Sequence, residues 1–183
     1  MSTPRTVVLV DVDGVINAMP DGAGDLDHWP SDSWNRDFVY MPVFAEALLI
    51  TWSTAVIDGL RLIEQIPGVE MVWCTTWKHR APKLLAPIIG LGAQWEYKDG
   101  LITHAPRWFD WWKATRALEA LGEAERVVWI DDDIAAWTNT LTSLGRDDEW
   151  DWTLDERICC ISPQTRHGLN PEDLDVIEGF LNS

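Results

Sequence analysis

The run Thr6-Val-Val-Leu-Val is apolar or β-branched at every position, the pattern of a parallel strand buried on both faces, and it stops at Asp11. Three similar, mainly apolar runs follow: residues 69–74 stop at Thr75, residues 126–130 at Asp131 and residues 157–161 at Ser162. Between them, apolar positions recur at helical spacing over residues 54–65, 82–89, 111–121, 134–144 and 171–181. A weaker run at 94–97 predicts one more strand. Strands alternating with helices predict an α/β chain with a doubly wound parallel sheet of about five strands and right-handed crossovers. Ligands in such sheets bind beyond the carboxyl ends of the strands, where these polar residues collect.

Residues 17–53 interrupt the alternation, being first rich in Gly, Pro and Asp and then apolar through Phe38-Val-Tyr-Met and Ala47-Leu-Leu-Ile. They predict a loop and a short hairpin overhanging the site, too small for a separate cap domain. No repeat or linker divides the chain, so residues 1–183 read as one domain. Near the C-terminus, Asn170 and Pro171 read as the N-cap and first position of the last helix.

Composition narrows the function classes. The chain is 46% hydrophobic, as a globular protein is, and its N-terminal apolar run is too short for a signal peptide or a membrane span. The expectation is a cytoplasmic protein without membrane contact. Cys74, Cys159 and Cys160 form no CxxC pair, which disfavours a zinc site or a disulfide framework. A formal net charge of −16 argues against extended contact with a nucleic-acid duplex, since that affinity rests on cations neutralising phosphates, but leaves a nucleotide or a strand end open. The 13 tryptophans are scattered without a period and read mainly as packing, with Trp77 and Trp108 as candidates for stacking a base. His28, His104 and His167 lack the spacing of metal ligands.

The chemistry-bearing residues stand at the strand ends. Asp11-Val-Asp13-Gly14-Val15 follows the first strand, Val72-Trp-Cys-Thr75-Thr76 closes the second, Lys113 begins a helix, and Val128-Trp-Ile-Asp131-Asp132 closes a later strand. These four stretches, in this order, resemble the motifs of the haloacid dehalogenase superfamily. Three further stretches, DVDGVIN at 11–17, VWCTTW at 72–77 and HGLNPEDLDVIEGFL at 167–181, are similar to small cap-poor phosphatase domains of actinobacteria and their phages and of Swiss Army Knife RNA-repair proteins. The resemblance covers nearly the whole chain and implies a Rossmann-like fold.

Simple electrostatics points the same way. If Asp11, Asp13, Asp131 and Asp132 converge, each close carboxylate pair costs roughly 4 kcal/mol at an effective dielectric of 20, and the cluster needs cations to stay ionised. All-oxygen donors favour Mg²⁺ over Zn²⁺. The resemblance implies the roles: Asp11 as nucleophile forming an aspartyl-phosphate, and Asp13 as general acid and base. It also implies metal binding by Asp11, Asp131 and the Asp13 carbonyl, with Asp132 in support. Thr75 or Thr76 would hold the phosphoryl group, with Thr75 favoured, and Gly14 would permit a close backbone turn there. Lys113 would supply a positive charge, with Lys98 and Lys83 as competitors. Lys78, His79 and Arg80 could steer a polyanionic leaving group. Asp133 reads as a helix cap and Asp147-Asp-Glu149 as a solvated loop.

The expected activity is Mg²⁺-dependent hydrolysis of a phosphomonoester, on a nucleotide or a nucleic-acid terminal phosphate. The alternatives are a phosphatase of a small non-nucleotide metabolite, transfer of the phosphoryl group to an acceptor alcohol, and a phosphate- or phosphoprotein-binding module without turnover.

Overall fold

The computed structural model describes residues 5–22, 24–41, 45–100 and 111–183; His104 and Trp108 fall outside them. A five-stranded sheet, every neighbouring pair parallel, forms the centre in the order β5-β4-β1-β6-β7. Its strands are β1 (Thr6–Val10), β4 (Val69–Trp73), β5 (Glu96–Tyr97), β6 (Arg126–Ile130) and β7 (Ile158–Ile161). Around it lie α1 (Thr54–Glu64), α2 (Ala86–Ile89, entered through a wider turn at Ala81–Leu85), α3 (Trp112–Glu123), α4 (Ile134–Ser143) and α5 (Pro171–Leu181).

Strand alternation divides the interior into two cores. Val8 and Val10 of β1 face one layer with Val56, Ile57, Leu60 and Ile63 of α1 and Ile177 of α5. Val7 and Leu9 face the other, with Ala114, Ala117 and Leu121 of α3 and Ile134, Trp137 and Leu141 of α4. Both faces of β1 are therefore covered, which is why its sequence lacks alternation. The four-residue edge strand of the expectation is only two residues long, Glu96 and Tyr97, both exposed.

The insertion after β1 contains a hairpin larger than expected, β2 (Trp34–Met41) and β3 (Glu46–Ser53), two eight-residue strands paired from Trp34↔Ser53 to Met41↔Glu46. The apolar cues at 38–41 and 47–50 mark only its outer half. Ile50, which ends the second cue, and Trp52 beyond it join the first core and dock the hairpin on the domain. The Asn170 cap takes the expected form: its side chain accepts from the Asp173 N–H, while Asp173 accepts from the Asn170 N–H. Among the described residues no helix is long and apolar enough to cross a membrane.

Candidate active site

Register brings the acidic residues together. Val10 of β1 pairs with Ile130 of β6, so Asp11 and Asp131, each one residue further on, emerge side by side. The backbone continues the ladder there, with the Asp11 N–H donating to Ile130 O and the Asp131 N–H to Ile161 O. The chain runs from β1 to β4 and β5 on one side and returns to β6 on the other, so the β1–β6 seam is where the strand order reverses.

Lys113, in the first turn of α3, reaches into this seam. Its Nζ donates to Asp11 Oδ2 at 2.6 Å and Asp131 Oδ2 at 2.7 Å, with all three side chains buried. Burial works against the Lys113 charge, but the two carboxylates raise its pKa above the ordinary value. Burial and the charge of Asp11 push Asp131 well above the usual carboxylate range against the pull of Lys113. Lys83 is exposed on the turn before α2, and Lys98 is half-buried beside β5.

Carboxylate oxygens of Asp11, Asp131 and Asp132 lie within 4.8 Å of one another, a hard-oxygen donor set suited to Mg²⁺. Gly14 makes room for it: at φ +72°, a Cβ there would lie 2.2 Å from Asp132 Oδ2, so only glycine lets the loop and the carboxylate approach. Asp132 is further held by the Thr165 hydroxyl, which donates to Oδ2 at 2.6 Å. Burial pushes its pKa up to about 6, partly offset by that bond.

Asp13 occupies different surroundings. Its carboxylate is not part of the three-carboxylate cluster and accepts from Asn17 Nδ2 and Trp77 Nε1, both at 2.8 Å. Asn17 is itself fixed, its Oδ1 accepting from the Thr51 N–H of β3 at 2.9 Å. Burial raises the Asp13 pKa, opposed by these two hydrogen bonds. Trp77 is only 2% exposed, so its ring has no open face for a base and its indole N–H serves Asp13 instead. Convergence of all four carboxylates on one point, as expected from the sequence, is thus limited to three of them. A cavity of about 380 Å³ opens beside Asp13.

Thr75 is fully buried just past β4, its Oγ1 accepting from the Trp77 N–H at 3.3 Å, whereas Thr76 is exposed and lines the cavity. Asp133 stands at the N-cap position of α4 without a side-chain capping bond; the Ser162 hydroxyl accepts from Ala135 N–H there. Residues 147–149 form a turn that is exposed at Asp147 and Asp148 and half-buried at Glu149.

The segment 162–170 was not singled out as part of the site, yet it closes one side. The Leu169 N–H donates to Val15 O at 2.9 Å, the Met19 N–H to Thr165 O at 3.1 Å, and a Cβ on Gly168 would lie 2.7 Å from Val15 O. Asn17 and Thr165, partners of Asp13 and Asp132, are contributors that the sequence does not single out, and Trp77, a stacking candidate, serves instead as a donor to Asp13. Asn17 and Trp77 each end one of the stretches that carry the family resemblance, 11–17 and 72–77, whereas Thr165 lies in none. Compared with known proteins, the chain matches no family profile, no curated protein and no solved structure.

Proposed function

We propose that this chain is a Mg²⁺-dependent phosphomonoester hydrolase of the haloacid dehalogenase type, working through an aspartyl-phosphate on Asp11, with a nucleotide or a nucleic-acid terminal phosphate as substrate. The observation that carries the reading is the division of two aspartates two residues apart. Asp11 sits among Lys113, Asp131 and Asp132, while Asp13 is held apart by neutral donors at the edge of a cavity. Carboxylates whose surroundings differ in this way are suited to different roles.

In this reading a carboxylate oxygen of Asp11 attacks phosphorus, the bond to the leaving oxygen breaks, and Asp13 delivers its proton to that oxygen. Asp13, now ionised, takes a proton from water; the hydroxide attacks phosphorus and the bond to Asp11 breaks, releasing phosphate and restoring both residues. Burial, which raises the Asp13 pKa, favours its acid form at the start. Lys113 holds Asp11 in place and offsets negative charge. Asp11, Asp131 and Asp132, with the Asp13 carbonyl, would hold Mg²⁺, which supplies charge neutralisation on the phosphoryl oxygens.

The test is phosphate release from an aryl phosphate, mononucleotides and 3′- or 5′-phosphorylated oligonucleotides, with and without Mg²⁺. Metal-dependent release by the native chain, lost in Asp11→Asn, is expected. Release that survives Asp11→Asn refutes the nucleophile, and no release from any substrate favours a binding module instead.

A further inference from the structure

The cavity beside Asp13 is bounded on two sides by unlike chemistry. One wall is the hairpin, through Met41 and Leu48; the other is the loop after β4, through Thr76, Lys78 and Arg80. Asp13 and Trp77, joined by the indole hydrogen bond, also line it. In the proposed hydrolysis, on which this inference rests, the group beside Asp13 is the departing alcohol, because Asp13 protonates it. At about 380 Å³ the cavity is within the range of small-molecule sites.

We infer that this cavity is a leaving-group subsite for alcohols that join an apolar body to a second anionic group, with Arg80 and Lys78 as the residues that select the second anion. The sequence sets Lys78, His79 and Arg80 side by side, and the fold separates them. Lys78 and Arg80 line the cavity, while His79 is exposed and meets the Tyr97 ring edge-on. Lys78 has φ +51°, a left-handed backbone that residues with side chains rarely adopt and that recurs at ligand-binding positions. Its Nζ is held by Asp99 Oδ1 at 2.5 Å and Gly100 O at 2.8 Å. The Lys78 and Asp99 side chains are 26% and 64% exposed, so water reaches the pair from the Asp99 side and an arriving anion can share the ammonium with that carboxylate. The cavity lining sets two cations, Lys78 and Arg80, against one carboxylate, Asp13, beside an apolar wall, a combination that suits an amphiphilic anion.

The experiment compares a nucleoside 3′,5′-bisphosphate with the two matching monophosphates. Affinity is read by calorimetry in the Asp11→Asn background with Mg²⁺, and turnover is read in the otherwise native chain beside an aryl phosphate. The expected result is binding of the bisphosphate about tenfold or more tightly than either monophosphate, the gain of one charge-assisted contact. Arg80→Met and Lys78→Met should each bring that ratio toward one, and Arg80→Lys should restore it. Equal affinity for the three ligands, or a ratio unchanged in both Met variants, overturns the inference. Should Arg80→Met fail to fold, the Lys78→Met ratio and its salt dependence decide. Aryl phosphate release without bisphosphate selectivity leaves the hydrolase reading intact and removes this one. Selectivity without release of phosphate from any ester removes the hydrolase reading and keeps an anion-binding cavity.

Discussion

Replacing Lys113 by methionine keeps a chain of similar length and deletes one charge. Its ammonium lies 2.6 Å from Asp11 and 2.7 Å from Asp131, and the side chains are 5%, 7% and 0% exposed, so water cannot take its place. Breaking a buried ion pair from one side costs about 3–5 kcal/mol, because the partner charges stay buried without compensation. For a domain of this size that corresponds to a fall of about 6–20 °C in Tm. The assay is thermal unfolding in EDTA at pH 7.5. Mg²⁺ should then stabilise the variant more than the native chain, since a cation between the carboxylates restores lost charge. Acidification should also narrow the deficit. The Asp131 pKa is raised in the folded state, so the stability linked to its proton is present at low pH and lost as pH rises through the folded value. A Lys113→Met chain within about 1 kcal/mol of the native one in EDTA would refute the reasoning, as that lies below the cost of one uncompensated buried charge.

Three further outcomes follow from the geometry. Because burial pushes Asp132 up to about 6, protons should compete with Mg²⁺ below that pH. Calorimetric affinity should then weaken as pH falls through about 6, by up to about tenfold per pH unit for one displaced proton, and a flat profile would exclude Asp132 from the metal. Thr165→Val removes the donor to Asp132 Oδ2 and should lower Mg²⁺ affinity about 10–100-fold in the same measurement. Trp77→Phe deletes the indole donor to Asp13. Turnover should fall for alkyl phosphates, which need a proton on the leaving oxygen, by more than for activated aryl phosphates, and up to about 10²-fold; equal losses on both would mean that Trp77 serves packing alone.

Much of the fold was legible because β1 and most of β6 are buried on both faces and so read as nearly continuous apolar runs, each ending at a polar residue. Asp11 and Asp131 could be matched from sequence for that reason: each stands one residue past a strand, and parallel register does the rest. Other features depend on direction in three dimensions. Lys113 and Lys83 look alike on helical patterns, and only the packing of α3 against the second core turns Lys113 inward and leaves Lys83 in water. Asp13 and Asp11 look alike in a DxD, but the turn at Gly14 and the donors from Asn17 and Trp77 point Asp13 elsewhere. The inner half of the hairpin was obscured because its paired residues include polar Asn35, Arg36 and Thr51. Thr165 had no period or motif to mark it, being 33 residues from the carboxylate it holds.

The strap formed by residues 162–170 has a consequence for the order in which the protein matures. During synthesis, Asp11, Asp13, Asp131 and Asp132 all leave the ribosome before Thr165, Gly168 and Leu169. The Trp29 indole N–H must wait for Leu169 O, 140 residues later in the chain. Until that segment arrives, the loop carrying Asp13 lacks its backing at Val15, and Asp132 lacks its hydroxyl donor. Contacts of such long sequence separation form late and slowly. A nascent chain therefore carries every acidic residue of the site well before it carries the segment that backs Val15 and holds Asp132.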